Sequence, residues 1–403
     1  YAGVEAIHIG STIVRGNDSN LTGAFRRGST LIGNEAVGQG LYSTVIGNHS
    51  QVLANEKVLA TGLFGRQFVA QNAFTNILGA YNTVGDTATN KTFNGVAVTV
   101  VGAANKVKES NGAFIAGYGN SVTNSYKDSI DVSGIVSSSL VDNTAALADI
   151  LADSKTELGQ TGVIGAVNKL DNSSNTLVMG MRNDVNLTSK SSVMGFTQTA
   201  QNLSYTSVSG ADSTVKNTSH VFTSGTNNTI TNAADVIAMG NNMVVGSATT
   251  SAKNSILLGN NIDFASKADM ANAVSIGDYS RANTGAVAVG VTAQALGVDS
   301  IAIGRDAIAT GSMAMGASSR AGNGGAAFGD GAIATYLNGV NTAGTVAGAA
   351  FGQNAQADVS GAVALGTSAV VSEANSVALG AYSTTTKAVP TASATIQGIT
   401  YQF

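Results

Sequence analysis

The sequence has no cysteine and no tryptophan, and its 403 residues include a single proline. Without cysteine there is neither a disulfide framework nor a thiolate metal site, so the redox state of the compartment leaves no mark on the chain. Charge is sparse: 20 basic and 24 acidic residues make up 11% of the chain, for a net of -4. No basic stripe exists to track a phosphate backbone or an anionic membrane, which sets nucleic acid aside as a partner. No stretch approaches the run of about eighteen apolar residues that a membrane helix needs. Tyr1-Ala2-Gly3-Val4-Glu5 lacks the basic start and apolar core of a signal peptide, and the chain opens in mid-pattern, as an excerpt from a longer protein would.

Chemistry is sparse too. The three histidines, His8, His49 and His220, lie far apart in the sequence, and no paired carboxylates, CxxC or HExxH occur. A catalytic triad or a three-ligand zinc site needs convergence that this spacing does not offer. The glycine-rich Gly322-Asn323-Gly324-Gly325 is followed by no GK[ST] and reads as a corner, not a phosphate loop. Neither catalytic residues, a metal site nor a cofactor is expected.

What is there is glycine, 49 residues of it, and hydrophobic residues at 43% of which few are aromatic. Val, Ile, Leu and Met fall in short alternating bursts, which disordered segments lack. Such a core must be filled by small and β-branched side chains, in thin layers. The bursts repeat. Ser300-Ile301-Ala302-Ile303-Gly304, Val363-Ala364-Leu365-Gly366 and Ser376-Val377-Ala378-Leu379-Gly380 are versions of one phrase, and Thr30-Leu31-Ile32-Gly33 and Thr44-Val45-Ile46-Gly47 carry it near the start. Gly352, Gly366 and Gly380 stand fourteen apart, while Gly165, Gly180, Gly195, Gly210, Gly225 and Gly240 keep a spacing of fifteen.

Each unit contains two alternating runs separated by Gly, Asn, Asp and Ser, the residues that supply turns and positive φ. Strands this short are stable only when each coil bonds to the coils before and after it, which makes an all-β parallel solenoid. Fourteen or fifteen residues suffice for two strand faces and two corners, so a flat roll is expected. Alternation puts Ile301 and Ile303 on one side of a strand and Ser300 and Ala302 on the other. One face fills the coil and the other meets something else, which points to self-association.

Three stretches break the register: 83–95, 136–160 and 335–348. The second, with Leu140, Leu147, Ile150, Leu151 and Leu158 after Asp142-Asn143-Thr144, is expected as a short helical or loop insert near 140–160. The repeat stops after Ser383, and Lys387-Ala388-Val389-Pro390 marks the boundary of the roll.

Asn375-Ser376-Val377-Ala378-Leu379-Gly380-Ala381-Tyr382-Ser383 resembles the NSVAIGxxS repeat of YadA-like heads in trimeric autotransporter adhesins, as do Asp299 to Ala307 and Asn254 to Asn260. The likeness covers nearly the whole chain and is strongest after Gly277. It implies a left-handed parallel β-roll of 14–15 residues per coil, intertwined or packed as a homotrimer over residues 1–386, with 387–403 beginning a connector to a neck or stalk. It also implies display on the outer membrane of a Gram-negative bacterium, with anchor and signal peptide outside this fragment. The activity implied is attachment to collagen-like host matrix proteins, host-cell receptors or other bacterial surfaces. The resemblance carries ligand binding to Asn375, Ser376, Val377, Ala378, Leu379, Gly380 and Ser383. The alternatives are a β-helix enzyme of the acyltransferase kind, which would predict an eighteen-residue coil and a catalytic histidine, and a purely structural spacer in a surface fibre.

Overall fold

The structure, a computed structural model, describes residues 7–9, 30–40, 42–54, 59–61, 67–69, 71–85, 95–125, 145, 148–149, 159–264, 270–310, 312–335 and 347–402. Contacts divide the chain into two units, Tyr1–Asp235 and Val236–Phe403. Every named element is a strand, and each unit is a parallel β-solenoid.

In the first unit the phrase that ends in glycine is one rung of a ladder. Asn76–Ala80, Thr99–Ala103, Phe114–Tyr118 and Gly162–Ala166 pair in parallel, and the ladder goes on through Ser174–Met181, Asp184–Phe196, Ser207–Ala211 and Thr214–Thr226. The register sets Gly79, Gly102, Gly117, Gly165, Gly180, Gly195, Gly210 and Gly225 directly over one another. Their φ angles lie between 122° and 133°, a region closed to residues with a Cβ. A Cβ on Gly195 would also fall 1.7 Å from the carbonyl oxygen of Gly210. Conformation and stacking therefore demand glycine independently, which explains why it keeps the beat.

The residue two before each glycine points inward. Val100, Ile115, Val163, Val178, Val193 and Val208 form this column and are all buried. A second run supplies the opposite wall: Lys106–Lys108, Ser121–Thr123, Lys169–Asp171 and their successors pair in parallel, with Val107, Val122, Leu170 and Val185 inward. The core is one side chain deep from each wall, the thin layer that the composition implied.

The fifteen-residue coils differ from a flat roll. Ser174 pairs with Ser189, and Thr188-Ser189, Leu203-Ser204 and Thr218-Ser219 pair in turn, giving the coil a short third side. Two left-handed corners bound it, one at Asn172, Leu187, Asn202, Asn217 and Asn232, the other at Asn175, Lys190, Tyr205, His220 and Asp235. Two faces and two corners were expected; these coils have three sides.

Inside them runs a column of asparagines three residues after the glycines. Asn82, Asn105, Asn120, Asn168 and Asn183 are buried. Each Nδ2 from Asn105 onward donates to the previous Oδ1 at 2.9–3.0 Å and to a glycine carbonyl in the next coil at 2.8–3.0 Å. Each Oδ1 also accepts the backbone N–H of the next member. Buried amides are tolerated where both ends are satisfied, and here the repeat itself satisfies them. Gln198 occupies the next position. Its backbone N–H keeps the contact, but the longer side chain leaves Nε2 and Oε1 buried with no partner in the protein. Gln198→Asn should therefore stabilise the chain by about 1–2 kcal/mol, read as a higher denaturation midpoint at unchanged slope. A lower midpoint would show that the amide column ends at Asn183 for a reason.

In the second unit, Val274–Ile276, Val287–Val289, Ile301–Ile303, Met313–Met315, Ala326–Phe328, Ala349–Phe351, Val363–Leu365 and Val377–Leu379 form the same ladder. A separate seven-stranded sheet from Arg281–Ala282 to Val370–Val371 makes the other wall. The interior is now almost all alanine: Ala288, Ala302, Ala307, Ala309, Ala314 and Ala364 are fully buried. After the roll, Ser393–Ile396 and Ile399–Gln402 form an antiparallel hairpin whose two-residue turn, Gln397-Gly398, has positive φ at both positions.

Ala145, Ala148 and Asp149 have helical conformation within the expected insert. The remainder of 136–158, residues 86–94 and residues 336–346 lie outside the described residues, with most of those three expectations. Sequence reading missed one interruption. Leu59–Thr61 and Gln67–Val69 form an antiparallel hairpin between two successive rungs, Thr44–Ile46 and Asn76–Ala80.

Candidate interaction surface

Each coil turns two kinds of outer surface to its surroundings. On the strand that ends in glycine, the residues one and three before it point outward. Leu78, Phe114, Ile164, Leu177, Met179 and Phe222 occupy these columns in the first unit and Ile301, Ile303, Phe351, Leu365, Val377 and Leu379 in the second. No charged residue stands in either column at any described coil. Phe328 and Phe351 stack there with centroids 5.1 Å apart. The second run turns out Lys106, Lys108, Lys169, Asp171, Asp184 and Lys216 in the first unit.

In the second unit the size order of a soluble protein is inverted. The coil of Gly304 buries Ser300, Ala302, Ala307 and Ala309 completely while Ile301 and Ile303 lie outside. An Ile or Leu left exposed forgoes about 1.5–3 kcal/mol that burial would return. Repeated over successive coils, that is an apolar surface far larger than scattered exposed residues make, and it marks an interface.

The residues singled out from the sequence share one coil but divide by orientation. Val377 and Leu379 point outward and are 62% and 70% exposed. Ala378 is buried. The others shape the coil: Asn375 has a φ of 55° and donates its N–H to Ser360, Gly380 donates to Leu365, and the Ser383 hydroxyl donates to the Leu379 carbonyl at 2.7 Å. Ser376 Oγ donates to the Ala374 carbonyl at 3.4 Å. Val377 and Leu379 are the two of the seven whose side chains stand in the outer columns.

His49 and His220 sit on corners and interact with neighbouring coils, whereas His8 lies in the strand Ile7–Ile9. His49 Nδ1 lies 2.5 Å from Glu35 Oε2 and its ring stacks on Tyr81; His220 stacks on Tyr205 and lies 3.7 Å from Asp235. Lys190 Nζ reaches the Tyr205 hydroxyl at 2.9 Å. Among the described residues, no group of three or more His, Cys, Asp or Glu could hold a metal ion. The Asn column, absent from the sequence reading, had one signal: asparagine three residues after glycine at Gly79, Gly102, Gly117, Gly165 and Gly180.

No curated protein matches the chain. Residues 282–307, 348–368 and 360–383 match the YadA head domain repeat. These stretches contain the alanine-filled coils with aliphatic outer columns described above, so the matched repeat and the inverted packing coincide. Adhesins with such heads form homotrimers on the surface of Gram-negative bacteria and bind host components. Between residues 282 and 383 the chain carries repeats similar to those of YadA-like heads, the kind found in trimeric autotransporter adhesins.

Proposed function

We propose that the chain is the head of a cell-surface adhesin, with no catalytic role, acting as a homotrimer that attaches a Gram-negative bacterium to host matrix, host cells or other bacteria. The observation that carries this reading is the inverted packing of coils such as that of Gly304, with alanines inside and Ile301 and Ile303 outside. Side chains of that size are covered by an equally uncharged surface, and a second and third copy of the same strand side provide one. The charged second side stays in water and, with residues 1–386 forming the roll and 387–403 leading away from it, presents many equivalent contacts. Weak contacts repeated in this way sum to avidity. Val377 and Leu379 stand in the columns that the sister chains cover, so the inserts at 83–95, 136–160 and 335–348 are the natural places for ligand specificity.

Sedimentation equilibrium tests the assembly. The chain should run as a trimer at micromolar concentration, Ile303→Glu should yield monomer, and Lys106→Glu should leave the mass unchanged; a monomeric parent chain would overturn the reading. Binding of the trimer to collagen, host cells and bacterial surfaces, with and without residues 136–160, then separates a ligand held by the insert from one held by the roll.

A further inference from the structure

The column one residue before glycine is apolar at every described coil except those of Gly210 and Gly225, whereas the column three before it is also polar at Thr30, Thr44, Asn76 and Thr99. In the coil of Gly210 both outward positions are serine, Ser207 and Ser209; the coils before and after contribute Ser192 and Ser224. All four are half-buried, and Ser192 Oγ donates to Ser207 Oγ at 3.0 Å. At the coils of Gly165 and Gly180 the same columns hold Ile164, Leu177 and Met179. We propose that Ser192, Ser207, Ser209 and Ser224 form a hydrated polar layer between the chains of the homotrimer, and that this layer fixes their axial register.

This rests on the homotrimer reading and on the outer columns being its interface. Its physical basis is a degeneracy of repeats. Successive coils present nearly the same side chains about 4.8 Å apart, so a chain that slips by one coil still sets aliphatic against aliphatic and loses little. Apolar packing alone does not choose among such alignments; a polar interruption does, as a buried polar residue does in a coiled coil. In register, the hydroxyls of three chains meet at one height, where each can donate and accept among its copies and the water they hold. Slipped by one coil, Ser209 of one of the two chains faces Met194 of the other, and its hydroxyl is left in an apolar contact.

The absence of native cysteine makes the test direct, since every disulfide is an engineered one. Tagged and untagged chains carrying Met179→Cys report like-height contact after co-assembly and oxidation. Chains carrying Ile164→Cys mixed with chains carrying Met179→Cys report a one-coil slip. With the serines present, cross-height product should be roughly tenfold scarcer than like-height product, the factor that about 1.4 kcal/mol carries. With Ser192→Leu, Ser207→Leu, Ser209→Met and Ser224→Met together, the cross-height product should rise roughly tenfold; Ser209→Met alone, in the coil with serine in both columns, should move it the same way if the fourfold variant folds poorly. Ser209→Thr keeps the hydroxyl and should keep the register. An unchanged ratio in a folded, trimeric Ser209→Met variant overturns the proposal, as does a trimer in which Met179→Cys never cross-links. A monomer by sedimentation overturns the homotrimer reading itself and is distinguished from both by mass.

Discussion

Gly195→Ala is expected to abolish the stacking of the fifteen-residue coils, at a cost of at least about 4 kcal/mol. The new methyl carbon would lie 1.7 Å from the Gly210 oxygen and 2.8 Å from its carbonyl carbon, both backbone atoms that cannot swing aside. It would also force alanine to a φ of 124°. The two effects separate experimentally, because Gly398 has a φ of 80° and nothing within 4 Å of a built Cβ. Gly398→Ala therefore bears only the backbone cost, about 1–2 kcal/mol, and that in a hairpin outside the roll. Amide hydrogen exchange over residues 180–225 should show protection lost in Gly195→Ala and retained in Gly398→Ala. Equal protection in the two variants would mean that the coils separate readily, and that glycine marks the turn without being needed for the stack.

Asn120→Ala is the second large effect, expected at about 3–5 kcal/mol. The side chain donates to Asn105 Oδ1 and to the Gly165 carbonyl, and its Oδ1 accepts both the backbone N–H and the Nδ2 of Asn168. Alanine leaves those groups, in the coil before and the coil after, buried without that partner, and unmade bonds cost more than made ones contribute. Asn202 offers the comparison. Its Nδ2 donates to Asn217 Oδ1 at an exposed corner where φ is 54°, so Asn202→Gly keeps the corner and should change stability by no more than about 0.5 kcal/mol. Denaturant midpoints of the two variants should differ widely; closely similar midpoints would show that the inner asparagines are spacers and not a network.

The stack was legible in the sequence because its period is imposed by one residue type with no substitute. Gly180 and Gly195 keep their places for steric reasons, and the alternation around them announced strands. The division of Ile301 and Ile303 from Ala302 was legible as well, though not which side lay inside, since habit assigns the larger aliphatics to a core and this coil has room only for methyl groups. The third side escaped notice because Thr188-Ser189 and Thr218-Ser219 are two residues long and polar, too short to show any alternation. The buried asparagines escaped because asparagine ordinarily reports a turn, as it does at Asn202 and Asn217; only the stacked register reveals that Asn105 and Asn120 face inward and satisfy each other. Of the seven repeat residues with which binding was associated, five are occupied in making the coil, and composition could not separate them from Val377 and Leu379.

The ladder also has a temporal consequence. Outside the inserts, each strand finds its partner one coil away, so the pairings are between residues close in the chain even though the protein is built of parallel strands. Sheets usually fold slowly because distant segments must first find each other. Here the difficult event is the formation of the first two or three coils, after which each finished coil offers its free edge, its glycine carbonyl and its open asparagine Oδ1 to the residues that come next. Growth from such a seed is directional, and the chain needs to be exposed for no longer than one turn at a time.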